Sequence, residues 1–102
     1  MSVTRLSAKD PTEEVYATFD FSAELGVETI TGTPVVTAAR DGGAADANPS
    51  AIIDGTATAA NGVASQLVVG GVDRCDYKLL CTVNTSAGRV LTATSILPVR
   101  RK

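Results

Sequence analysis

Between residues 75 and 83, the apolar or amphipathic Cys75, Tyr77, Leu79, Cys81 and Val83 alternate with the polar Asp76, Lys78 and Thr82, and only Leu80 breaks the pattern. A period of two marks extended backbone, because successive Cβ atoms leave opposite faces of a strand. On a helix the same residues would scatter around the circumference and bury nothing. Asn84 continues the polar face, and Thr85-Ser86-Ala87-Gly88 predicts a hairpin loop. Residues 89–99 then return as a last strand with Leu91, Ala93, Leu97 and Val99 on one face. A lone hairpin is at best marginally stable in water, so the rest of the chain must supply further sheet to cover that face.

The remainder reads in the same way. Lys9-Asp10-Pro11 predicts a turn, since Pro fixes its own φ and holds the preceding residue extended. In residues 14–22, Val15, Ala17, Phe19 and Phe21 alternate with Tyr16, Thr18, Asp20 and Ser22, a half-buried strand that leaves Tyr16 facing outward. Helix competes over residues 22–25, where Gly26 ends any turn. Residues 28–31 and 35–37 predict one strand bent near Gly32, or two short ones, with Pro34 confined to an edge or a bulge. Residues 40–50 lack apolar periodicity and are expected to form the longest loop. Asp54-Gly55 predicts a tight hairpin turn, and Asn61-Gly62 a second one leading into a strand over residues 64–69.

A chain of 102 residues encloses one core. It favours Val, Thr and Ala and has no Trp, so small and β-branched side chains must fill a thin sandwich. Short strands at this spacing, joined by Gly, Asn and Asp turns, predict an all-β, immunoglobulin-like antiparallel β-sandwich. The expected division is a flexible N-terminal arm over residues 1–8, the sandwich over 9–99, and a basic tail over 100–102.

The net charge of −2 argues against a nucleic-acid partner, which needs a concentrated basic face. Acidic residues dominate from Asp10 to Asp54 and basic ones from Arg74 to Lys102, a two-sided distribution suited to docking between proteins. The start lacks an apolar signal region, and no apolar run is long enough to span a bilayer, so no membrane partner is expected. Cys75 and Cys81 on one strand stand about 20 Å apart, too far for a disulfide, so both are expected as buried free thiols made in a reducing cytoplasm.

Chemistry is sparse. No His is present, which removes the usual general base, the familiar triads and the His-containing zinc signatures. The glycine pairs at 42–43 and 70–71 fit neither a phosphate loop nor a dinucleotide fingerprint and read as turns. Asp41, Asp46 and Asp54 do not have EF-hand spacing, and Asn84-Thr85-Ser86 reads as hairpin rather than as a glycosylation site. No catalytic residue, cofactor or metal site is assigned. Tyr77 admits two readings: a tyrosine corner whose hydroxyl bonds to nearby backbone, with Asp73 as its companion, or a plain core aromatic. Candidate interface residues are Arg5, Tyr16, Arg100, Arg101 and Lys102.

Taken together, Lys9-Asp10-Pro11, Asp20-Phe21-Ser22, Glu28-Thr29-Ile30, Gly70-Gly71, Tyr77 and Gly88-Arg89 before a final strand form an ordered set. This set resembles the small fibre-to-tail adaptor proteins of tailed bacteriophages and prophages over roughly residues 9–99. The chain departs from that pattern at Phe21, where the family tends to Trp, and at Pro34, near which another Trp is expected. The resemblance implies a non-enzymatic immunoglobulin-like module located in the virion. It further implies multiple copies, a homo-oligomer or an array, bridging tail, fibre, portal or capsid proteins. Two alternatives share this class: a capsid cement or decoration protein, and a head-tail joining protein. A third is an immunoglobulin-like surface or carbohydrate-binding module, disfavoured by the scarcity of exposed aromatics. A hydrolase using carboxylates alone has no pair placed across a pocket.

Overall fold

The computed structural model describes residues 3–102. Among the described residues, seven strands form two sheets: β1 (Val3–Arg5), β7 (Val90–Pro98), β6 (Cys75–Thr85) and β3 (Ile30–Gly43) in that order, and β2 (Val15–Asp20), β5 (Val63–Val68) and β4 (Ile53–Ala60) in the other. In immunoglobulin terms β3, β6 and β7 take the places of strands C, F and G, facing B, E and D. The all-β sandwich expected from the sequence is the fold.

Alternation decides which side chains meet. The inward row of β6, Cys75, Tyr77, Leu79, Cys81 and Val83, is almost wholly buried. Opposite it lie Ala17, Phe19 and Phe21 from β2 and its end, with Ala64 and Val68 from β5. Tyr77 is the largest fully buried side chain, the role a Trp fills in many sandwiches. Both cysteines are buried free thiols, and burial pushes the Cys81 thiol up to about 11. A single helical turn, α1 (Ser22–Leu25), follows β2 and buries Leu25 before Gly26, at φ 60°, ends it.

The structure corrects five expectations. Residues 40–43 are strand: β3 runs to Gly43 and pairs with the start of β6 through an irregularity between Arg40 and Gly42. A Cβ on Gly43, at φ 79°, would lie 2.1 Å from the carbonyl oxygen of Arg74, so only glycine permits this approach. The connection to β4 is thereby shortened, and it holds a 3-10 turn over Pro49–Ile52.

Asp54-Gly55 is a bulge inside β4 and not a hairpin turn, with the register shifting between Asp54 and Thr58. The buried Gln66 explains it, because its amide nitrogen donates to the carbonyls of Asp54 (2.9 Å) and Gly55 (3.3 Å) that the bulge frees from the ladder. Asn61-Gly62, with φ of 54° and 79°, does form the expected two-residue turn between β4 and β5. Pro34 lies within the register shift of β3, itself an edge strand, where its missing N–H costs no ladder bond.

The N-terminal segment is not a detached arm. Met1 and Ser2 lie outside the described residues, but β1 pairs with β7, and the Leu6 N–H donates to Ile96 (2.8 Å) while its side chain packs on the core. This pairing runs parallel, so the sandwich is not purely antiparallel. Lys9 then bridges Val99, also in parallel, where the Arg5–Ile96 register would have placed it opposite Arg100. One extra residue is therefore taken up between Arg5 and Lys9. The basic tail is likewise attached, since the Arg100 N–H donates to the Lys9 carbonyl (2.8 Å).

Candidate interaction surfaces

The eleven residues of β6 span roughly 34 Å, and a polar clasp closes the sandwich at each end of that strand. At the end of β6, Arg89 forks onto Glu28, with Nη2 to Oε2 at 2.6 Å, and also donates to the Glu24 carbonyl (2.9 Å). The Thr85 hydroxyl donates to the same Glu28 carboxylate at 2.6 Å. Arg89 first, and Thr85 second, hold the Glu28 carboxyl below its ordinary range. Glu28-Thr29-Ile30 and Gly88-Arg89, far apart in sequence, thus form one tie between the β6–β7 hairpin and the segment entering β3.

At the start of β6 the charge density is higher. Lys9 is 1% exposed, and its ammonium donates to the carbonyls of Gly70 (2.6 Å) and Asp10 (2.9 Å). Burial pushes its pKa down, while Glu13, Asp10 and Glu14 pull it back. Gly70 and Gly71 both have positive φ, and a Cβ on Gly71 would come within 2.9 Å of Val99. Tyr77 is a corner in the structural sense: its hydroxyl accepts the Val72 N–H (2.9 Å) and donates to a carboxylate oxygen of Asp46 (2.6 Å). The companion carboxylate is Asp46 rather than Asp73, which instead accepts the Arg101 N–H (2.7 Å). Burial and the bond to Asp46 together raise the Tyr77 hydroxyl well above its usual range.

The tail residues occupy this same end. Arg100 donates to Asp76 (2.8 Å) and to the Val99 carbonyl (2.8 Å). Lys102 donates its backbone N–H to Asp10 (2.7 Å), and its ammonium lies 3.0 Å from Glu13. That backbone N–H, followed by the hydroxyl and N–H of Thr12, holds the Asp10 carboxyl down to about 2. Arg101 and Lys102 line an open depression of about 540 Å³ with Asp10, Pro11, Thr12 and Glu13. Tyr16, 69% exposed on β2, shares with Lys102 a second depression of about 350 Å³ beside Lys9 and Leu97. The structure thus gathers four of the five sequence candidates at one end. Arg5 is separate, on the outer face of the four-stranded sheet in register with Ile96 and Lys78.

That outer face was not legible as a site. Of the seven large hydrophobic side chains exposed among the described residues, Val3, Val35, Leu80 and Val90 all stand on it. Val3, Thr94, Leu80 and Thr37 form one cross-strand row, and Val35, Thr82 and Thr92 the next. Leu80, which breaks the alternation of β6, is the one signal the sequence offered, and it marks the centre of the patch. Among the described residues no group of three or more potential ligands could hold a metal ion. Nor, among those residues, is any helix long and apolar enough to cross a membrane.

No curated protein and no solved structure matches the chain at the required significance. Comparison with protein families does give a match over residues 9–98, a span that starts at the buried lysine, includes the Glu28–Arg89 clasp and the Tyr77 corner, and ends with the last strand. By that match the chain belongs to the family described as podophage GP4 fiber-tail adaptor protein gp77, a structural family of the phage tail.

Proposed function

We propose that the chain is a non-enzymatic connector of a podophage particle, bridging a tail protein and a fibre. The family match over residues 9–98 carries this reading. The structure supports it by the way its polar chemistry is used. Tyr77, Lys9, Glu28 and Arg89 spend their polar groups on partners within the domain, Tyr77 on Asp46, Lys9 on backbone carbonyls and Glu28 on Arg89 and Thr85, and so lock the sandwich shut. The depressions are open and surface-lying, and what the molecule presents to partners is sheet face and charged termini. A rigid module of this kind suits load transfer between two larger proteins. Multiple copies in the particle are part of the reading, as expected for a connector working on a symmetric tail.

Mass spectrometry of purified particles from the genome encoding this chain, followed by a reconstruction, tests the assignment. Density between tail and fibre, and fibreless but otherwise tailed particles when the gene is deleted, are the expected results. Density on capsid axes, or absence of the chain from particles, would overturn the connector reading.

A further inference from the structure

The two outer faces of the sandwich differ in chemistry. The outer face of β1, β7, β6 and β3 carries the exposed apolar group Val3, Val35, Leu80 and Val90, together with the cations Arg5 and Lys78. Its one outward carboxylate on β6, Asp76, is already bound by Arg100. The outer face of β2, β5 and β4 is built from strands without a single Lys or Arg, and the cation beside Tyr16, Lys102, is paired with Glu13 at 3.0 Å. There Tyr16, Leu67 and Asp54 form one row and Asp20, Val63 and Ala60 another, so exposed aromatic surface is flanked by two carboxylates.

We propose that these faces are complementary to each other, and that the occupant of the apolar basic face is the acidic, Tyr16-bearing face of a second copy of this chain. Charge complementarity selects this arrangement over a two-fold pair. Two basic faces brought together would set Arg5 and Lys78 against their own copies, and two acidic faces would do the same with Asp20 and Asp54. A contact between unlike faces is head-to-tail, so each copy keeps one face open and copies add in a row or close into a ring. Face-to-face sheets pack about 10 Å apart with interdigitating side chains, and the β-branched, Thr-rich character of both faces suits that packing.

Four strands about 4.8 Å apart, with rows from Lys78 to Asn84, give a face of roughly 400 Å². That is about half of what each partner contributes to a stable interface, so the contact is weak between free chains. It tightens only where a particle already holds the copies side by side. The inference deepens the connector reading and rests on it for its place in the particle, but it is tested on the purified chain alone.

Sedimentation velocity of the full chain from about 20 μM to about 1 mM brackets the weak range in which association is expected. The weight-average sedimentation coefficient should rise with concentration. Leu80→Glu and Tyr16→Glu should each remove the rise, and an equimolar mixture of the two should form dimers and nothing larger, because each retains one intact face. Arg5→Glu/Lys78→Glu and Asp20→Lys/Asp54→Lys reverse exposed charge, the second pair also removing the acceptor of the Ser22 N–H (2.9 Å); each should suppress association, and combining all four should restore it. A chain monomeric throughout the range overturns the proposal, whatever the particle experiment gives. Association that survives Tyr16→Glu but not Leu80→Glu would mean two like faces meet, and also overturns it.

Discussion

Replacing Tyr77 with Phe removes one oxygen atom from the centre of the clasp at the start of β6. The ring stays buried, so apolar packing is retained and the change isolates the hydroxyl. Two bonds are lost: the Val72 N–H loses its acceptor at 2.9 Å, and Asp46 loses its donor at 2.6 Å. A neutral bond of the first kind contributes about 1 kcal/mol net, and one to a charged acceptor somewhat more. Val72 and Asp46 both reach solvent and recover part of this through water. The expected loss is therefore about 2 kcal/mol, or roughly 10 °C in Tm for a domain of this size. Urea unfolding at neutral pH, with the midpoint shifting and the slope unchanged, measures it. The tie to Asp46 also has a pH signature. Tyr77 first, and the Asn48 N–H second, depress the Asp46 carboxyl, so its stabilising effect is present above the ordinary carboxylate value and is lost as pH falls through the folded one. Wild type and Tyr77→Phe should thus draw closer in stability under acid, keeping only the difference due to the Val72 N–H, and Asp46→Asn should add little to Tyr77→Phe. A loss below about 0.5 kcal/mol, within the range of ordinary surface changes, would refute the corner as a support of the fold.

Other perturbations test separate parts of the structure. Gly43→Ala places a methyl against the Arg74 carbonyl at a positive φ, and a loss of about 3 kcal/mol is expected by thermal unfolding. Removing Arg101 and Lys102 takes away the N–H that most depresses Asp10. Because that group's stabilising effect is present above its ordinary 3.8 and lost as pH falls toward about 2, the truncated chain should unfold at higher pH in an acid titration followed by circular dichroism. The Cys81 thiol, buried and raised to about 11, should resist alkylation at pH 8 in the native protein and react once the chain is unfolded in urea. Mass-spectrometric counting of labelled thiols gives the answer.

Alternation alone determined the strands that fill the core. The inward rows of β2, β6 and β7 follow from their period of two, since a strand must place every second side chain on one face wherever it lies. Asn61-Gly62 was legible for a local reason, as both residues tolerate the positive φ that a two-residue turn demands. Asp54-Gly55 carries the same local tolerance, yet becomes a bulge because Gln66, on the neighbouring strand, takes up the carbonyls it frees. Residues 40–43 look like loop because they lack apolar pattern, and become strand because β6 offers them a ladder and Gly43 fits against Arg74. The candidate surfaces divide in the same way. Tyr16 was readable as outward-facing from its own strand. The attachment of Arg100, Arg101 and Lys102 to Asp76, Asp73 and Asp10 was not, because charges distant in sequence show no pattern until the fold sets them side by side. The apolar patch around Leu80 is likewise a tertiary fact: its four hydrophobic members come from four strands, and only the order of those strands in the sheet makes them neighbours.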